Sequence, residues 1–212
     1  MAARREQARA VREALARIYP DATCALNFRN PFELLIATVL SAQTTDERVN
    51  SVTPKLFSEF PDAAACGAAR REDVEEILRP LGFFRAKARS VIGIGQALQA
   101  NHGGQVPGTM KELVALPGVG RKTANVVLGN AFHVPGITVD THVGRLARRL
   151  GWSRQTDPVK VEADIAELIE PEHWTILCHR LIYHGRQVCH SRKPACSSCE
   201  IATLCPSYPL TA

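Results

Sequence analysis

Nowhere in the 212 residues does an apolar run approach the ~18 residues of a membrane span. The opening stretch, MAARREQARAVREALARIYP, also lacks the apolar segment of ~7–15 residues that a secretory signal carries. Val11, Leu15 and Ile18 instead fall at the spacing of an amphipathic helix. No segment of useful length alternates with period two, so no strand is expected. Internal repeats and low-complexity tracts are missing too. Charge is not extreme: the net value is +5, with 22% charged and 45% hydrophobic residues. That balance excludes a disordered tail, and the length suits one large domain or two small ones with a sizeable core. The expected protein is all-α, cytoplasmic, and without a membrane partner.

The charge is unevenly spread. Residues 84–149 hold nine Lys/Arg against Glu112 and Asp140, an excess larger than that of the whole chain. A basic segment in a near-neutral protein suits a polyanion, although a solvated basic face has the same composition.

Helix signals recur along the chain. NPFELLIATVLSAQ begins with Asn30 as N-cap and Pro31 at the first helical position, and its apolar residues run all round, as in a buried helix. TTDERVNSVTPKLFSEFP offers a capping box from Thr44 to Glu47, with Pro54 expected to kink or restart the helix. A second box joins Thr109 to Glu112, and NHGG ends a longer helix. DTHVGRLARRLG places Val143, Leu146 and Leu150 on one face behind Asp140 as N-cap. Roughly ten helices are expected.

Cys189, Cys196, Cys199 and Cys205 form a C-x6-C-x2-C-x5-C cluster. In a cytosolic chain such a cluster argues for metal over disulfides. Four thiolates suit zinc or an iron–sulfur cluster; the lack of two separated C-x2-C pairs leans towards the cluster. Metal ligation would replace packing in a loop this short. His190, Arg192 and Lys193 lie between the first two ligands, where the cations can grip phosphates or merely solubilise the loop. Cys24, Cys66 and Cys178 follow no pattern and are expected in or near the core.

KELVALPGVGRKTANVVL reads helix, tight turn, helix. The glycines Gly118 and Gly120 are expected to turn with positive φ and to let the backbone approach another molecule. The free N–H groups of the second helix then attract an anion, for which a nucleic acid phosphate is suited. A P-loop is a poor fit, since G-x-x-x-x-G-K-[ST] and a preceding strand are both missing. Lys122 falls in the first turn of that helix, where the dipole disfavours an ammonium and favours the neutral, nucleophilic amine. Contact with phosphate explains the same lysine equally well. Asp140 in VDTHV caps a helix, and it can also share a proton with Lys122 and stabilise positive charge on a substrate. A close carboxylate works on the lysine in the opposite sense to the dipole. His142 is a further candidate partner, though a lone helical histidine is more often structural.

Together, LPGVGRKTA, VDTHV and the terminal cysteine loop resemble the endonuclease III family of helix-hairpin-helix DNA glycosylases, and PFELLIATVLSAQTTD, GRKTANVVLGNAF and HGRQVC extend the likeness over nearly the whole chain. The resemblance implies two helical domains with the active site in the cleft between them. One is a six-helix domain, residues 22–132; the other combines residues 1–21 with 133–212 and holds a [4Fe-4S] cluster on the four cysteines. It implies a monomeric, bacterial, nucleoid-associated enzyme acting on double-stranded DNA. The family removes oxidised pyrimidines and then cuts the abasic strand by β-elimination. Lys122 matches the Schiff-base lysine and Asp140 the catalytic aspartate. Gln43 and Phe83 match residues that fill the gap left by the extruded base, with Phe83 where relatives often have leucine and with Phe84 and Arg85 adjoining. Further DNA contacts are implied for Gly118, Gly120, Arg121, Arg186, Arg192 and Lys193. Carbonyls of Val114, Leu116 and Val119 are implied as an alkali-metal seat. Two other classes compete: a non-catalytic DNA-binding module, which leaves the pairing of Lys122 with Asp140 unexplained, and a ferredoxin-like carrier, which leaves the basic segment unexplained.

Overall fold

The computed structural model describes residues 2–209. Among these are eleven α-helices, three short 3-10 helices and no strand, as the missing period-two pattern predicts. No helix among the described residues is long and apolar enough to cross a membrane. The chain divides into two compact units: Cys24–Val134, and the residues up to Thr23 together with those from Pro135 onward.

The continuous unit holds α2 (Pro31–Leu40), α3 (Asp46–Glu59), α4 (Ala63–Ala68), α5 (Arg71–Leu78), α6 (Phe84–His102), α7 (Met110–Leu113) and α8 (Arg121–Ala131). That is one helical segment more than the resemblance implies, α7 being a single turn. Asn30 caps α2 by accepting from the Glu33 N–H at 2.9 Å, with Pro31 at its start. Every residue of α2 from Phe32 to Leu40 is buried, so this helix is the centre of the unit. Leu34, Leu35 and Ile36 meet Leu56, Ile94, Leu98 and Leu113 in one core, each contributing about 2 kcal/mol through burial.

One expectation fails in α3. Its N-cap is Thr45, which accepts from the Arg48 N–H, so the capping box at Thr44 is out of place by one residue. The Thr44 hydroxyl is engaged elsewhere, as shown below. Of the two alternatives at Pro54, the restart does not occur: the helix runs unbroken to Glu59. Val49 and Val52 before it and Leu56 and Phe57 after it all enter the core, and that burial outweighs the lost hydrogen bond.

Gly95 explains how α4 and α6 lie so close. A Cβ there would stand 2.5 Å from the Gly67 nitrogen and 2.7 Å from the Ala63 oxygen, both main chain. Gly95→Ala therefore forces the helices apart. The overpacking cost exceeds the gain of about 1 kcal/mol in helix propensity, giving a net loss of about 2 kcal/mol. Thermal unfolding should fall by roughly 4–8 °C; an unchanged or higher midpoint would refute the packing account.

The second unit joins α1 (Ala2–Ile18) to α9 (Thr141–Arg149), α10 (Pro158–Ala166) and α11 (Trp174–Gln187). Val11 and Leu15 on the apolar stripe of α1 pack with Leu146, Trp152 and Leu181. The fully buried Trp152 donates its indole N–H to Gln7 Oε1 at 2.8 Å, and Tyr19 Oη lies 3.1 Å from His184 Nδ1. These contacts make the N-terminal helix part of the C-terminal unit.

Candidate active site

In the continuous unit, Val114 to Gly120 connect α7 to α8. Gly118 has φ +74°, and a Cβ there would come within 2.9 Å of Ser90 Oγ, so only glycine suits both the turn and its backing by α6. Gly120 differs from expectation: its φ is −94° and a Cβ would meet nothing within 4 Å. What Gly120 supplies is a bare N-cap. It adds no side-chain acceptor at the start of α8, the end of the helix that attracts an anion.

Arg121 and Lys122 are the first two residues of α8, and both side chains are exposed. The opposite face, with Ala124, Val127 and Leu128, is buried. The Leu116 carbonyl accepts from the Val119 N–H at 3.1 Å and keeps one lone pair; Leu116 and Val119 are buried, and Val114 is exposed.

Two further loops in this unit carry non-glycine residues in the left-handed region: Gln43 at φ 53° and Phe83 at φ 56°. Phe83 is 68% exposed, whereas Phe84 packs against the core with the Arg85 guanidinium 5.3 Å from its ring centre. The structure thus separates neighbours that looked alike in sequence. Lys87 was not singled out from sequence. Its spacing with Val91, Ile94 and Leu98 places it on the buried stripe of α6, a signal that was available.

In the other unit, Asp140 caps α9: its Oδ1 accepts from the Val143 N–H at 2.8 Å. Nδ1 of His142, two residues on, lies 3.1 Å from Arg145 Nη2. Burial pushes the His142 pKa down, with the Asp140 charge acting the other way. Arg145 also donates through Nε and Nη2 to the Cys189 carbonyl and through Nη2 to the Gly185 carbonyl.

Cys189, Cys196, Cys199 and Cys205 line one cavity, walled also by Leu146, His184, Ile201 and Tyr208. None is in a disulfide. Arg149 Nη1 donates to Cys189 Sγ at 3.1 Å, and Cys199 Sγ is 3.5 Å from His184 Nε2. Burial first, and then the neighbouring thiols, push the pKa of Cys199 and Cys205 up. Four thiolates here need a cationic centre, and the free thiols and largely apolar walls fit one. Among the described residues no group of three or more His, Cys, Asp or Glu is arranged to hold a single ion. Tetrahedral zinc would draw the sulfurs to within about 4 Å of one another. The three remaining cysteines meet expectation: Cys66 and Cys178 are buried, with pKa pushed up to about 12, and Cys24 is half-buried. Arg186, Arg192 and Lys193 are exposed, Lys193 with φ 48°.

Residues 36–171 match the model of the HhH-GPD superfamily of base excision DNA repair proteins. The chain belongs to that superfamily. Among HhH-GPD relatives, endonuclease III of Synechocystis sp. (strain ATCC 27184 / PCC 6803 / Kazusa) is 49% identical over 208 residues, covering 98% of this chain and 95% of the relative. A solved non-covalent endonuclease III–DNA complex superposes with TM-score 0.91 at 45% identity, covering 95% of each chain. A trapped covalent endonuclease III–DNA intermediate gives 0.90 at the same identity and coverage. The HhH-GPD match accounts for the all-helical fold and for the hairpin between α7 and α8.

Proposed function

We propose that this protein is a base excision repair glycosylase that removes oxidised pyrimidines from duplex DNA and cleaves the abasic strand by β-elimination. The observation that carries this is Lys122: an exposed amine one residue inside the bare N-terminus of α8, just after the Gly118 turn, in an HhH-GPD chain. The hairpin N–H groups and Arg121 hold the phosphate backbone, and Arg186, Arg192 and Lys193 add charge to that grip. Gln43 and Phe83 fill the space left when the damaged base leaves the stack.

Lys122 Nζ attacks C1′, and the C1′–N bond to the base breaks with its electron pair leaving on the base. The nitrogen loses a proton, the C1′–O4′ bond opens, O4′ takes up a proton, and an imine forms. Loss of a C2′ proton then expels the 3′ phosphate. Asp140 supplies the carboxylate that takes the lysine proton and stabilises positive charge developing on the sugar. The carbonyls of Val114, Leu116 and Val119 form the seat for an alkali cation. The non-catalytic module leaves the pairing of Lys122 with Asp140 unexplained and is not favoured.

Incubation with a thymine-glycol duplex and borohydride should trap a covalent protein–DNA complex. Normal DNA binding without excision of any oxidised pyrimidine would overturn the proposal.

Cys189, Cys196, Cys199 and Cys205 hold a [4Fe-4S] cluster, whose contribution when bound is to fix the surrounding loop. The largely apolar cavity lined by all four cysteines supports a cluster. Cys199→Ser should cut iron and acid-labile sulfide per chain to below about half and bleach the visible absorbance. Stoichiometric zinc without iron in the wild type would contradict this.

A further inference from the structure

Gln43 and Phe83 both stand in the left-handed region, although neither is glycine, asparagine or aspartate. Each such conformation costs about 1 kcal/mol or more and persists where neighbours hold it. Both positions lead to one residue. Lys87, in the first turn of α6, is 5% exposed. Its Nζ donates to Thr44 Oγ1. The Thr44 hydroxyl donates in turn to the Ala42 carbonyl at 3.3 Å, so the two bonds brace the chain across Gln43. At the other end of Lys87, its backbone N–H donates to the Phe83 carbonyl at 3.1 Å, beside the Ala86 N–H at 3.0 Å.

Packing alone does not call for a lysine here. Position 87 shares the core stripe with Val91, Ile94 and Leu98, and methionine would fill the same volume without burying an ammonium group. Burial pushes the Lys87 pKa down, which is the mark of that cost. The hydroxyl of Thr44, drawn out of the expected capping role, is what offsets it.

We infer that Lys87 is a positioning residue that holds Gln43 and Phe83 in register with each other, so that both enter the DNA stack together. The inference rests on the gap-filling role proposed for those two side chains. Lys87 touches neither DNA nor the reacting atoms; it acts through the Ala42–Thr44 turn and the start of α6.

The test compares two substrates on the full-length protein. One duplex carries a paired thymine glycol, which must be pushed out of the stack; the other carries a preformed abasic site. Lys87→Met keeps the volume and removes the charge. Thr44→Val removes the same bond from the less buried end, so it serves if the first variant folds poorly. Each should slow thymine-glycol excision by about 30-fold, while abasic-site cleavage falls by less than about threefold. A 2-aminopurine opposite the abasic site should lose the brightening that wild type gives. The double variant should be no worse than Lys87→Met alone, since both remove one bond, and Thr44→Ser should restore activity. Excision and brightening within about twofold of wild type in both single variants would overturn the inference. So would an equal fall on both substrates that tracks a lowered melting temperature, since that is a purely structural role. A wild type that excises nothing overturns the glycosylase reading and this inference with it. Normal wild-type excision beside unaffected variants overturns the inference alone.

Discussion

Lys122→Ala should abolish the borohydride-trapped complex and slow thymine-glycol excision on the order of 10⁴-fold or more. The fold should barely notice the change. Lys122 is exposed in the first turn of α8, while Ala124, Val127 and Leu128 do the packing. Alanine is also a better helix former than lysine and removes a cation from the positive end of the dipole. Stability should therefore stay within about 0.5 kcal/mol. The size of the effect separates the two roles that the sequence left open. Losing one phosphate contact costs affinity uniformly and lowers the salt slope by about one, which is far short of 10⁴-fold. Lys122→Arg sharpens the distinction, because the guanidinium keeps the charge and the phosphate contact but is never a free amine at working pH. It should bind duplex DNA within a few-fold of wild type and form no trapped complex. A trap that survives in Lys122→Ala would sink the assignment, and normal excision by Lys122→Arg would reduce the lysine to a phosphate grip.

What could be read from sequence here was local. The caps at Asn30, Thr109 and Asp140 hold as expected, because a cap is decided within four residues. The close of α6 at Gly103, with φ +56°, is equally local. The cysteine spacing pointed to four thiols that share one cavity, but the apolar wall from Leu146 comes from elsewhere in the chain. The misreadings share one cause. Thr44 looked like a cap because the residue that engages it, Lys87, lies 43 positions away. Pro54 looked like a kink or a restart because the burial that carries α3 through it comes from residues far away in the sequence. Phe83 and Phe84 could not be told apart until the left-handed turn at Phe83 sent one ring outward and the other inward. At Gly120 the motif suggested a conformational need, while the structure shows an ordinary φ, open space around the position and an N-cap without a side chain.

Asp140→Asn should slow excision by about 10²–10³-fold and leave the melting temperature nearly unchanged. The prediction depends on Asp140 doing two jobs that chemistry can separate. As N-cap of α9, its Oδ1 accepts from the Val143 N–H at 2.8 Å. Asparagine offers the same oxygen at the same place and caps about as well, so the structural job survives. The charge does not survive, and with it goes the group proposed to take the lysine proton and to steady positive charge on the sugar. His142 cannot take over as a cation: burial already pushes its pKa down, and removing the Asp140 charge that opposes this shift lowers it further. Asp140→Ala removes both jobs. It should match the asparagine variant in rate but lose about 1 kcal/mol as well, seen as a melting temperature ~2–4 °C lower. If Asp140→Asn instead excised within about threefold of wild type while Asp140→Ala failed only as far as its stability fell, Asp140 would be a cap and nothing more. The carboxylate of the mechanism would then have to be sought on another residue, with Lys122 still the nucleophile.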